Sequence, residues 1–507
     1  MILTTKGRYA INAVMEMSEH LDDKPISLAK IAEKQNISVS YLEQIFSNLK
    51  NADLVESVKG PGGGYVLKQY EITARDIIKA TGEKIQMTSC ANENNCVKIE
   101  ENNKKCKTHH VWKGLERAIE SYFKSILIRN ISQTIPVKGV IYFDNNSTTK
   151  IDHQVLDLMN ETYQKPLNSS SQHQFGQIAA KYLNDAKEKI SSLLNAQNYQ
   201  IIFNSGATEA NNTALQSFEN YQIITSQIEH ISVLDLAKKQ NAKIVGVDEN
   251  GLIKLAELEK ILQNLQSKNF LVSVILANNE TGIIQNLKQI AKLTHQYGGL
   301  IHSDITQSLG KIKVDLEDLN IDLASVSAHK VKGPQGVGAL LVRNSLQINP
   351  LILGGLQQEG KRAGTTNIAG IAGFGEACKI AETRLENYQE IANLRDYLET
   401  KLSEIALDNV EFFSKKAERL PNTSFFATKN LNNQTLLIAL DLNKIAVSIG
   451  SACSSGVSKT SHVLKSLGVD EKKASTAIRI SLGLENTKQE IDKFIAIWQN
   501  LYQKTNL

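Results

Sequence analysis

Beyond residue 200, four polar clusters each follow an apolar run, and together they offer an amine, a carboxylate and a place for a phosphate. Ser205-Gly206-Ala207-Thr208-Glu209 follows Ile201-Ile202-Phe203, and Asn278-Asn279-Glu280 follows Leu271 to Ala277. Asp304 and Gln307 follow Gly299 to Ser303, and Ser327-Ala328-His329-Lys330 follows Leu323 to Val326. The turn at Gly206 leads into a helix predicted to begin near Thr208, whose free N–H groups and positive dipole end suit a phosphate. Singly these signals are weak: such turns join many strands to helices, and a lone lysine after a strand is most often a solvated surface residue. Lys330, however, follows a serine and a histidine able to bind phosphate, and the Asp304 cluster offers an anion for a pyridine nitrogen. A lysine for a Schiff base, an anionic partner for a ring nitrogen and a phosphate cradle are the parts that pyridoxal phosphate requires.

The thiols form a second set. The five cysteines are Cys90, Cys96, Cys106, Cys378 and Cys453, an odd number spread unevenly over a large chain, which argues for reduced thiols and not for disulfides. Cys453 lies in Ser451-Ala452-Cys453-Ser454-Ser455-Gly456-Val457-Ser458, a small and polar stretch where a cysteine kept only for packing is out of place. A mobile thiolate there could attack a substrate sulfur. Cys378, in the helical-looking Gly375 to Ile380, reads as a small buried hydrophobe and receives no role. Cys90, Cys96, Cys106 and His109 share one Asn- and Lys-rich stretch without apolar shelter, and they make a complete four-ligand set. Spacing alone leaves a closed zinc site and a [2Fe-2S] cluster equally open.

Elements must hold these groups in place, and 507 residues are too many for a single core. A composition of 41% hydrophobic and 22% charged residues is that of an ordinary globular protein and excludes disorder as the main state. With 57 basic against 53 acidic residues, total charge permits nucleic-acid binding without arguing for it, so any such contact must come from a local patch. Met1 to Arg8 lacks the pattern of a secretion signal and no apolar run approaches the length of a membrane span, so a soluble, cytoplasmic protein without a membrane partner is expected. A Pro and a Gly within 131–139 follow an amphipathic helical pattern and precede the strand-like Val140 to Phe143. This segment reads as a linker between a domain at 1–130 and a second region at 140–507. In the second region, apolar runs alternate with longer helical stretches, which predicts an α/β fold whose mostly parallel sheet is buried on both faces.

In the first region, Ser27 and Ser40 each precede a helical pattern, and Ser40-Tyr41-Leu42-Glu43 reads as a capping box that starts a helix at Ser40. Leu42, Ile45, Phe46 and Leu49 recur at helical spacing, which leaves Glu43 and Gln44 on the open face as in a recognition helix. The run Leu54 to Val58, the glycine-rich turn Lys59 to Gly64 and Tyr65-Val66-Leu67 read as a hairpin whose tip could approach a phosphate backbone, with Lys59 as its charge. A simple packing unit of two helices and a hairpin is the competing reading.

Lys6-Gly7-Arg8-Tyr9-Ala10, Ser40 to Gln44, Gly60-Pro61-Gly62-Gly63-Gly64-Tyr65 and Cys106-Lys107-Thr108-His109 with Trp112 resemble the IscR-type regulators over residues 1–130. The resemblance implies a winged helix-turn-helix dimer that binds double-stranded DNA through Ser40, Tyr41, Glu43, Gln44 and Lys59. It also implies a [2Fe-2S] cluster on Cys90, Cys96, Cys106 and His109. Trp112, Leu115, Ile119, Phe123 and Leu127, at helical spacing, suggest a dimerisation helix, with plain core packing as the competing reading.

Residues 140–500 resemble the IscS/NifS cysteine desulfurases, within the fold-type I pyridoxal phosphate enzymes. The resemblance rests on Asp144 to Thr149, Ser205 to Glu209, Glu229-His230, Asn278 to Gly282, Asp304 to Ser308, Ser327 to Lys330, Arg362-Ala363-Gly364-Thr365 and Gly450 to Cys453. It implies a large domain at about 150–395 and a small one at about 396–507 joined by 140–149. Lys330 then carries the Schiff base, Asp304 pairs with the ring nitrogen, and His230 stacks on the ring and moves protons. Asn279 and Gln307 hold substrate and the ring hydroxyl. Ala207, Thr208, Ser327 and His329 bind the phosphate, with Thr365 reaching the phosphate of the neighbouring subunit in a homodimer. Arg479 clamps the substrate carboxylate with its planar fork. The implied activity converts L-cysteine to L-alanine, leaving sulfur as a persulfide on Cys453 for an iron-sulfur scaffold protein or another acceptor. Two rivals are a transcription regulator whose enzyme half serves as a ligand sensor, and a selenocysteine lyase. Intact Lys330, Asp304, His230 and Cys453 count against the first.

Overall fold

The computed structural model describes residues 5–19, 25–35, 37–60, 63–68, 72–83, 116, 119–120, 123–124, 128, 139–218, 220–267, 269–449 and 461–505. They fall into two compact units, Met1–Gly139 and Val140–Leu507.

The first unit contains helices α1 (Thr5–Glu19), α2 (Leu28–Gln35), α3 (Val39–Asn51) and α4 (Ala74–Ala80), with strands β1 (Val55–Val58) and β2 (Gly64–Leu67). The strands pair antiparallel from Val55 opposite Leu67 to Val58 opposite Gly64. Leu42, Ile45, Phe46 and Leu49 turn one stripe of α3 inward against Ala10, Ala13, Val14, Ile31 and Ile77. Each such side chain contributes roughly 1.5–3 kcal/mol when removed from water. A Cβ on Gly64 would stand 2.2 Å from the carbonyl oxygen of Ile26, so only glycine lets that backbone pair with the hairpin. The expected capping box at Ser40 does not form. The helix begins at Val39 with Ser38 as its extended N-cap residue, so Ser40 already lies inside the first turn, where its hydroxyl cannot cap the helix. That hydroxyl instead lies 3.4 Å from the one on Ser38. Among the described residues of this unit, a capping box is formed by Thr73 with Asp76, at the start of α4.

The second unit opens with β3 (Ile141–Tyr142) and is then built on β4 (Tyr199–Asn204), β5 (Gln222–Ser226), β6 (Lys243–Val245), β7 (Phe270–Ser273), β8 (Leu300–Asp304), β9 (Leu323–Ser327) and β10 (Gly338–Arg343). These last seven form one sheet in the order β4-β10-β9-β8-β7-β5-β6. Only β10 runs against its neighbours, pairing antiparallel with both β4 and β9. Alternate residues go to opposite faces: Ile201 and Phe203 join one apolar cluster with Val272 and Ile301, while Ile202 joins another with Ile223 and Leu271. Both faces are therefore covered, which is why the strands read as unbroken apolar runs. A separate core gathers Phe143, Leu398, Phe426, Ile478 and Trp498. It lies around β11 (Val410–Phe412), β12 (Thr423–Thr428) and β14 (Ala477–Ser481), while β13 (Ile445–Ala446) pairs with β3.

Candidate active site

The segments that follow the C-terminal ends of the parallel strands line one cavity of about 600 Å³. This is where an open α/β sheet places its ligands. After β4, Gly206 takes φ 145°, a backbone conformation closed to other residues, and starts the helix Ala207–Gln216. The N–H groups of Ala207 and Thr208, in its first turn, have no intrahelical acceptor and stand at the positive end of the helix. After β5, His230 caps the helix Ile231–Lys239, its Nδ1 accepting the Ser232 N–H at 3.2 Å. Nδ1 is thus the acceptor of a neutral ring with its proton on Nε2. Burial lowers the pKa of His230 and favours that neutral form.

Asp304, at the end of β8, is buried, and its two oxygens accept from Asn211 Nδ2 at 2.8 Å and from the Thr306 N–H at 3.0 Å. Gln307 Nε2 donates to the Asn146 carbonyl at 2.9 Å. After β9, Lys330 Nζ donates to the carbonyls of Asn146 and Ser147. His329 lies 3.1 Å from Thr148 Oγ1, and burial together with the charge of Lys330 pushes its pKa down to about 4. Arg479 reaches the cavity from β14 in the other sheet and is only 2% exposed, so it is not a surface residue. Its Nη1 donates to the Asn279 carbonyl at 2.8 Å, and its Nη2 to Asp144 Oδ1 at 2.6 Å and Ser147 Oγ at 3.0 Å. Nε is buried without a partner among the described residues.

The Aminotransferase class-V family profile matches residues 141–494. A cysteine desulfurase IscS of Clostridium botulinum is 37% identical over 374 residues, covering 70% of this chain and 93% of that protein. A cysteine desulfurase of Bradyrhizobium diazoefficiens is 39% identical, covering 71% and 93%. The solved structure of a NifS-like protein from Rickettsia africae superposes with a TM-score of 0.67 at 37% identity, over 72% of this chain and 99% of that one. The chain belongs to the cysteine desulfurases. Residues 3–134 match a second family, the Iron-dependent Transcriptional regulators, so the two are fused in one polypeptide.

Within this family frame, the cavity brings together Ala207, Thr208, His230, Asn279, Asp304, Gln307, Ser327, His329, Lys330 and Arg479 from the sequence analysis. Thr365 is exposed and does not line it. Cys453 lies outside the described residues. The donor set fits pyridoxal phosphate: an amine, a buried carboxylate and free helix N–H groups face one space. Sequence reasoning missed Asn146, whose carbonyl and side chain link Lys330, Gln307, Asn279 and Thr423. The signal was available, because Asp144-Asn145-Asn146-Ser147 is itself a polar cluster after an apolar strand. Buried Asn211 and Lys311 carried no such signal.

In the first unit, Ser40, Glu43, Gln44 and Lys59 are exposed. Tyr41 is half-buried, edge-on to Tyr9 at 6.0 Å. Cys90, Cys96, Cys106 and His109 lie outside the described residues, as do Trp112, Leu115 and Leu127 of the expected dimerisation helix. Ile128 and Phe123 pack against the core of this unit. Among the described residues, no helix is long and apolar enough to cross a membrane.

Proposed function

We propose that residues 140–507 use pyridoxal phosphate to move the sulfur of L-cysteine onto Cys453 and release L-alanine, while residues 1–130 bind double-stranded DNA under the control of a [2Fe-2S] cluster. The observation that carries the enzymatic reading is the meeting of Lys330, Asp304 and Arg479 on one cavity in a chain of this family. When bound, pyridoxal phosphate supplies an aldehyde for the Lys330 amine and a ring that accepts electron pairs from the substrate. Asp304 holds the ring nitrogen protonated, and Ala207, Thr208, Ser327 and His329 take the phosphate. Arg479 receives the substrate carboxylate, with Nε as a donor still to be matched. Neutral His230 moves protons through Nε2.

The Cys453 thiolate attacks the substrate sulfur. The bond between that sulfur and its carbon breaks, its electron pair passes to the carbon framework, and a proton completes alanine. Cys453 is oxidised to the persulfide and the carbon is reduced, so no outside oxidant enters. The flanks of the Cys453 segment support this geometry. Ser448 pairs with Arg479 through both backbone hydrogen bonds, and Ser461 Oγ donates to buried Glu280. The five peptide steps from Ser448 to Cys453 span at most roughly 18 Å, a reach that allows the thiol to approach the carboxylate clamp. The functional unit is a homodimer in which Thr365 of one subunit completes the other's phosphate site, and the persulfide passes to an iron-sulfur scaffold protein.

The deciding experiment uses the purified full chain. A visible absorption that depends on Lys330 and responds to cysteine is expected, with equal alanine and persulfide-derived sulfide. Alanine release at an undiminished rate from Lys330→Ala or Cys453→Ser sinks the enzymatic reading. A second chromophore that survives Cys106→Ala sinks the cluster assignment.

A further inference from the structure

Lys311 is a long cationic side chain only 2% exposed, in a place where an unpaired ammonium would be costly. It does not line the cavity, and nothing in the proposed reaction uses it. Its Nζ donates to Gln307 Oε1 at 2.9 Å and to Asn146 Oδ1 at 3.0 Å. Both acceptors are oxygens for independent reasons. Gln307 Nε2 is committed to the Asn146 carbonyl, and Asn146 Nδ2 to the Asn279 carbonyl and Thr423 Oγ1. A carbonyl can only accept, so the opposite end of each amide must be oxygen. Lys311 therefore stands behind Gln307 and pins its amide with the NH2 group forward. One hydrogen of that group is spent on Asn146, and the second is left for a ligand in the cavity.

We propose that Lys311 is a positioning residue that fixes the amide polarity of Gln307 and Asn146, so that Gln307 donates a hydrogen bond to the ring hydroxyl of the cofactor. This rests on the reading that the cavity holds pyridoxal phosphate. Burial and the charges of Lys330 and Arg479 hold the Lys311 ammonium well below its usual range. An amine carries two hydrogens and an ammonium three, so either form supplies both acceptors.

The test is a double-mutant cycle on the full chain, with the dissociation constant of pyridoxal phosphate read by titrating cofactor-stripped protein and following visible absorption. Lys311→Met and Gln307→Ala should each weaken binding about tenfold, the worth of one lost hydrogen bond. The pH at which the bound cofactor's absorption changes should move in the same direction in both. If Lys311 acts through Gln307, the double variant should also be about tenfold weaker, not a hundredfold. Normal binding by Lys311→Met, or singles that multiply in the double, overturns the proposal. Circular dichroism of the stripped proteins checks folding. Should Lys311→Met not fold, Lys311→Leu, which likewise has no donor, takes its place in the cycle under the same two criteria. No Lys330-dependent absorption in the unaltered chain would instead sink the cofactor reading, which separates the two failures.

Discussion

Glu229 should make the stability of the second unit fall as pH rises. Its side chain is fully buried just before His230, with Oε1 accepting from Ser226 Oγ and Oε2 without a partner among the described residues. Burial pushes its pKa from the ordinary 4.5 up to about 8, helped by the nearby negative charge of Asp304. Between those two values the unfolded chain has released this proton and the folded chain keeps it, so the folded state binds more protons and loses stability with rising pH. The slope is about 1.4 kcal/mol per pH unit. Over the interval from 4.5 to about 8 the loss reaches an upper bound of roughly 5 kcal/mol, and above it the contribution is flat. Glu229→Gln keeps the shape and has no proton to lose. At pH 5 the two chains should differ by no more than about 1 kcal/mol, because the protonated carboxyl and the amide each leave one end unpaired. At pH 8 the variant should be more stable by several kcal/mol. Urea unfolding of the full chain and of the variant from pH 5 to 9, followed by circular dichroism, measures the difference directly. Parallel curves for the two proteins would refute the assignment of a buried, proton-holding carboxyl.

Three further outcomes are expected. Arg479→Lys replaces a fork that holds Asn279, Asp144 and Ser147 together with a single ammonium, so KM for cysteine should rise at least about tenfold while cofactor absorption is kept; steady-state rates would show an unchanged KM if the clamp lies elsewhere. His302 sits between Ser273 and Ser325 with its pKa lowered by burial to about 4, so the unfolded state takes up a proton first as pH falls below 6.5. Stability should drop across that window, and His302→Asn should flatten the acid limb of a pH-stability curve. Lys59→Ala should weaken DNA binding about equally for all sequences and reduce the slope of log affinity against log salt by about 1; fluorescence anisotropy over a salt series would expose an unaltered slope.

Much of the architecture was legible in the chain because it follows from local periodicity. The apolar run from Ile201 to Phe203 and the mostly apolar one from Leu271 to Ala277 announced strands covered on both faces, although β7 stops at Ser273, and the stripe Leu42, Ile45, Phe46, Leu49 announced the buried side of α3. The chemistry of the cavity was legible for a similar reason: polar residues placed directly after such strands fall on one side of the sheet. Even the error at Ser40 is local, since a capping box needs its serine just outside the helix and the backbone turned helical two residues sooner, with Ser38 as the N-cap. What only the tertiary structure decided is the state of groups whose neighbours are distant in sequence. Arg479 is buried because β14 carries it to Asp144, Lys311 is pinned between Gln307 and Asn146, and Glu229 holds its proton because packing strips it of water. Desolvation and the polarity of an amide belong to the surroundings that folding assembles, and no spacing along the chain encodes them.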